Sequence, residues 1–198
     1  VVRATRWEGG RCDLLRDEGG DNIQQAATPR LLGLGLGPET IPARANRRAS
    51  VRPTSLYGLG LMEAIPLETL EALADPDDSD GDGVSGRLGR SEEGRPGRFG
   101  RKAEVTTIRD FVDSALRFEL GFSTPEHPVE ERLNGRDLPP GADPMPEPEI
   151  DARGVDLLTE YIRYLAPPPR QVLPTGPRAD SVAGGESQGD LEGCLTVE

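Results

Sequence analysis

Apolar residues recur at helical spacing in only a few parts of this chain. From Thr107 to Leu120, the residues Ile108, Phe111, Val112, Ala115 and Leu116 fall at i, i+3, i+4, i+7 and i+8, and Gly121 follows. That spacing predicts an amphipathic helix ended by a glycine. From Asp151 to Leu165 a second stripe is formed by Val155, Leu158, Ile162 and Leu165, with Asp151 placed as N-cap and Pro167-Pro168-Pro169 beyond the end. A shorter helix is predicted over Leu67 to Ala74, opened by Pro66 and closed before Asp75-Pro76. These faces are the predicted core.

The remaining pattern is irregular. Residues 1–30 show no sustained period and read as an extended or looping arm, followed by an Arg-rich linker over 43–53. LLGLGLGPETIP (31–42) is echoed by LYGLGLMEAIP (56–66), but two loose copies are too few for a solenoid. The Gly-x-Gly-x-Gly of the first copy follows no strand and runs into Pro38, which argues against a phosphate loop. Residues 123–149 and 167–190 are rich in Pro and Gly, and no strand pair is convincing. The expected fold is therefore mainly α and loop-rich, with about three short helices, long irregular arms and no substantial sheet. Its expected divisions are an N-terminal arm and linker (1–50), a helical domain (51–170) and a Pro/Gly-rich tail (171–198).

Composition sharpens this picture. Of 198 residues, 34% are hydrophobic and 4% aromatic, against 25 Gly and 19 Pro. So thin a core implies segments held by a metal, a disulfide or a partner protein, and partner proteins are the expected clamp. The net charge of −12 argues against nucleic acid, whose binding needs clustered cations. The charge is uneven: residues 1–62 sum to +3 and residues 63–198 to −15. The latter part suits a cation or a basic protein face, and the Arg44 to Arg52 stretch, with Arg47 and Arg48 inside it, suits an anion.

No apolar run approaches the ~18 residues of a membrane span, which leaves a soluble chain or an extrinsic subunit. The sequence opens Val1-Val2 without an initiator Met or apolar leader, so a removed or unseen signal or anchor segment stays open. Cys12 and Cys194 stand near the two ends. If joined, they would close a loop worth roughly 5 kcal/mol in the chain-entropy model; two free thiols are the alternative.

The strongest local chemistry is DPDDSDGDGVSGR (75–87). Asp78, Asp80 and Asp82 occupy positions 1, 3 and 5 of a D-x-D-x-D-G loop, Gly83 takes the sharp turn at position 6, and the Val84 carbonyl follows at position 7. Such a loop converges hard oxygen ligands on one cation, so Ca²⁺ is the expected cofactor, in a structural role. Position 12 is Gly89 rather than a bidentate Glu. Asp75, Asp77, Glu92, Glu93 or water would have to complete the shell.

Three longer stretches resemble a known family. VRPTSLYGLGLMEAIPLETLEALADPDDSDGDGVSGR (51–87), GRFGRKAEVTTIRDFVDSALRFELGFSTPEHP (97–128) and PEIDARGVDLLTEYIRYLAPPPR (148–170) are similar, in the same order, to the region between the haem motifs of bacterial di-haem oxidoreductases. These are peroxidase-like relatives of di-haem cytochrome c peroxidase. The similarity covers residues 51–198, and the first 50 match poorly. It implies a periplasmic protein whose haems are held through Cys-x-x-Cys-His, with thioethers from the cysteines and an axial bond from the histidine.

This chain departs from that pattern where the chemistry sits. In GGESQGDLEGCLTVE, Gly193 and Cys194 match the family, but Val197 stands where the second cysteine belongs and Glu198 where the histidine belongs. Cys12 is followed by Asp-Leu-Leu-Arg, so the upstream motif is missing as well. The sole histidine, His127, reads as a surface-loop side chain rather than an iron ligand. Haem is not expected, and redox catalysis would go with it. The resemblance then implies a non-catalytic, haem-less periplasmic structural subunit, peripheral to the membrane. Its partners would be subunits of a membrane-anchored electron-transfer assembly, a photosynthetic reaction centre or a respiratory complex, with a c-type cytochrome among them. Two alternatives stay open: a fragment of an active di-haem enzyme whose haem segments lie elsewhere, and a free-standing calcium-binding module.

Overall fold

The computed structural model describes residues 2–19, 22–51, 53, 55–100 and 102–169. Its first half corrects the expectation of a mainly α chain without substantial sheet. Strands β1 (Val2–Glu8), β2 (Arg11–Asp13) and β3 (Arg47–Ser50) form an antiparallel sheet in the order β2-β1-β3. The turn Gly9-Gly10 sets Trp7 opposite Cys12, while Ala4 faces Arg48 on the other edge. Val2, Ala4 and Ile23 are buried there against Ala45. The strands escape the eye because β3 reads Arg-Arg-Ala-Ser and β1 carries arginines at positions 3 and 6. With so few apolar side chains to alternate, the ladder itself carries the pairing.

Five short α-helices are present among the described residues: α1 (Pro29–Gly33), α2 (Leu59–Glu63), α3 (Leu67–Ala72), α4 (Ile108–Ala115) and α5 (Ala152–Arg163). The three expected from periodicity are α3, α4 and α5. Thr107 caps α4 by accepting from the Asp110 N–H, and Asp151 caps α5 by accepting from the Gly154 N–H at 2.8 Å. Beyond Ala115 the helix widens into a π turn over Leu116–Leu120 and stops at Gly121, whose φ of 74° is left-handed.

Helices α4 and α5 enclose the main core. Ile108, Val112 and Leu116 are buried with Phe99 and Val155, and Leu59, Phe111 and Ile162 pack around them. The predicted α5 stripe is only partly interior, because Leu158 stays 39% exposed while Thr159 is buried. Thr159 meets its polar need by donating to the Val155 carbonyl one turn back, at 2.8 Å.

Helix α2 ties this core together, and it has no periodic signature. Glu63 accepts from the Ile108 N–H at 3.0 Å and from the Arg163 guanidinium at 2.7 Å, joining α2 to the start of α4 and the end of α5. Burial works to raise the Glu63 pKa, but the Arg163 and Ile108 donors outweigh it and hold it below the ordinary 4.5. The segment that links β2 to β3 meets the rest of the chain through polar contacts: Gln24 to the Phe118 carbonyl, Thr40 and Glu39 to Asn134, and Arg30 to the Gly141 and Ala142 carbonyls. No helix among the described residues is long and apolar enough to cross a membrane.

Candidate metal centre

Residues 75–86 form a closed loop leaving the end of α3. Its base is a backbone bridge in which Asp75 N–H donates to the Gly86 carbonyl at 2.8 Å and Gly86 N–H returns a bond at 2.9 Å. Inside the loop each aspartate organises the chain ahead of it. Asp78 accepts from the Gly83 N–H at 3.1 Å, Asp80 from the Asp82 N–H at 3.1 Å and Asp82 from the Val84 N–H at 2.8 Å. Gly83 adopts φ 86°, the left-handed turn that position 6 requires of the backbone.

The carboxylates that converge are Asp75, Asp78 and Asp80, one oxygen of each lying within 4.8 Å of the others. Oxygens bound to one ion at about 2.4 Å lie no farther apart than about that distance, so the three fit a hard cation. Asp82 lies outside the group and keeps its backbone bond instead. Asp75 stands in the group instead. Its carboxylate is oriented by the Ser79 N–H at 2.9 Å and hydroxyl at 3.0 Å, and the Ser79 N–H above all holds its pKa below the ordinary 3.8.

The lack of a glutamate at position 12 has a packing cause. A Cβ on Gly89 would stand 2.5 Å from the Ala103 Cβ, so no side chain fits there. Glu92 and Glu93 are engaged elsewhere, with Arg16 at 2.5 Å and with the Ser91 hydroxyl at 2.8 Å. A second acidic group, Glu130, Asp143 and Glu147, was not legible in the sequence because its members are spread across a Pro-rich loop. Burial first, then the charges of Glu147, Glu149 and Asp143, push Glu130 up to about 7.

The other sequence-predicted positions are dispersed. Arg44 bonds Asp13 and Glu18, Arg47 and Arg48 lie in β3, and Arg52 lies outside the described residues. Cys12 is half-buried in β2. Cys194, Val197 and Glu198 lie outside the described residues. The haem implied by the resemblance does not fit the ligands at hand: the Cys194 stretch lacks the second cysteine and the histidine, and His127 is already committed. Its Nδ1 lies 2.6 Å from Oδ2 of the buried Asp113, whose Oδ1 accepts the Thr124 hydroxyl at 2.5 Å. This Asp113-Thr124-His127 group escaped the sequence reading because Asp113 sits among the apolar residues of α4 and the other two on the following turn.

No family model, curated protein or solved structure matches this chain. The likeness to di-haem oxidoreductases rests on the quoted stretches alone.

Proposed function

We propose that this chain is a non-catalytic, haem-less structural subunit of the periplasm that stabilises or extends a membrane-anchored electron-transfer assembly. A photosynthetic reaction centre or a respiratory complex is the proposed host, with a c-type cytochrome among its subunits. The observation that carries the reading is the apolar outer face of α5. Leu157, Tyr161 and Tyr164 stand one turn apart along it at 60%, 65% and 79% exposure, over a core of few large side chains. Such a face is costly in water and favourable against a partner. The altered haem stretch supports a role without redox chemistry.

The test is an absorption spectrum and haem stain of the polypeptide from its native source, with identification of whatever co-purifies in mild detergent. The expected result is a chain without a Soret band that travels with a membrane electron-transfer complex. Covalently bound haem on this chain would overturn the proposal and return it to the oxidoreductases.

A second reading is favoured by the convergence of Asp75, Asp78 and Asp80: the loop is a structural calcium site, with or without a host complex. Three carboxylates this close repel one another, and a divalent cation removes that cost. Calorimetry should give a higher melting temperature with Ca²⁺ than with chelator, and the increment should vanish in Asp80→Asn. A melt indifferent to both removes calcium from the account.

A further inference from the structure

The sheet has an open side. Strand β3 lies at its edge, and its residues pair with β1 from Ser50 opposite Val2 to Arg47 opposite Thr5. Just before β3, the Asn46 side chain continues the contact with β1 by accepting from the Trp7 N–H and donating to the Trp7 carbonyl, both at 2.8 Å. On the outer side of β3 no backbone bond forms among the described residues. Such an edge presents N–H and C=O groups in the geometry that another strand requires. Because β1 already holds β3 extended, an incoming segment binds without the entropic cost of ordering it.

Charge decides what the edge accepts. From Thr40 to Met62 the chain carries four arginines and no acidic residue. Within the three strands, five arginines stand against Glu8 and Asp13. Those two carboxylates are taken, Glu8 by Arg6 at 2.9 Å and Asp13 by Arg44 at 3.1 Å. Glu104, which reaches the sheet from outside it, lies 4.0 Å from Arg3. Arg47 and Arg48 are exposed and have no ion pair among the described residues.

Successive side chains of a strand point to opposite faces, so Arg47 and Arg48 flank the edge from its two sides. One small anion cannot bridge them. An extended segment with adjacent carboxylates meets both, because its own side chains alternate in the same way. Two copies of β3 set side by side would bring arginine against arginine, which opposes self-pairing.

We infer that the outer edge of β3 docks an extended segment of a partner protein carrying adjacent Asp or Glu residues, which adds a fourth strand to the sheet. The backbone ladder supplies the binding, and the two guanidinium groups select for acid on both faces. β3 and the outer face of α5 are separate elements, so peptide binding at this edge stands or fails whether or not a host complex co-purifies.

The probe is a synthetic peptide, Thr-Val-Glu-Glu-Val-Thr with blocked ends, read by fluorescence anisotropy against the full chain. Binding is expected, weakening as salt rises and about fivefold weaker for Arg47→Gln with Arg48→Gln. Both side chains are exposed, so that variant should keep its fold, which circular dichroism checks. Three further peptides need no change to the protein. Setting the two glutamates one residue apart places both on one face and should weaken binding, methylating alternate backbone amides should abolish it, and Lys in place of Glu should abolish it as well. No binding of the first peptide, or equal binding of any of the other three, overturns the inference, as does binding indifferent to the arginine substitutions. A dimer in sedimentation that the first peptide dissociates would give the edge to a second copy and overturn it too.

Discussion

Asp113 shows how a single buried charge constrains its surroundings. Its side chain is 7% exposed, and both carboxylate oxygens are occupied, by the Thr124 hydroxyl and the His127 ring. Asp113→Ala strips Thr124 and His127 of their shared acceptor and should cost about 3 kcal/mol in urea unfolding, with Thr124→Ala costing about 1 to 2. Glu130 is the opposite case, a carboxylate left among like charges. Its pKa is raised from 4.5 to about 7, so the folded state keeps a proton that the unfolded chain releases between those values. The sign follows: its stabilising contribution is complete below pH 4.5 and is lost as pH rises through about 7. Glu130→Gln should flatten that loss, seen as a smaller fall in the urea midpoint between about pH 5 and about pH 8. At this scale the D-x-D-x-D-G spacing was legible, and two of its three aspartates, Asp78 and Asp80, lie in the group of carboxylates that comes together. Asp75 was one of several residues that the sequence offered to complete the shell, and its place in the group ahead of Asp82 was not legible, because it depends on the bonds from Ser79 that orient the Asp75 carboxylate.

The two GLGL stretches, alike in sequence, form different elements. In the first, α1 ends at Gly33 and Gly35 follows in the left-handed region. In the second, Gly58 is the left-handed residue and α2 begins after it. Gly60 then lies against the end of α5, where a Cβ would be 2.1 Å from the Arg163 carbonyl oxygen. Gly60→Ala should force α2 off α5 and cost about 2 to 3 kcal/mol in chemical denaturation. Gly33→Ala, with nothing within 4 Å of the added carbon, should be neutral or stabilise by up to about 1 kcal/mol. Helices α4 and α5 were legible because their buried faces and caps are local properties. Helix α2 was not, since its role comes from Glu63 bonds to residues 45 and 100 positions away.

Across the whole molecule, the N-terminal part that holds the sheet meets the part that holds α4 and α5 through hydrogen bonds and ion pairs, while each keeps its own small apolar cluster. Polar seams exposed to water add little stability, so the sheet should open below the global unfolding free energy. Hydrogen exchange is expected to be faster for the β1 and β3 amides than for those of α4; equal protection would mean that both units unfold as one. The sequence by itself determined the helical faces, their caps, the acidic loop and the uneven charge, all of which depend on residues within a turn or two of each other. Only the tertiary structure decided the sheet, the Glu63 junction and the buried Asp113 group. In most of these the partners lie many residues apart, as in the β1–β3 pairing and the Glu63 bonds to Ile108 and Arg163, and in the hairpin and the Asp113 group the signal is a backbone ladder or a polar bond, neither of which leaves a periodic apolar trace.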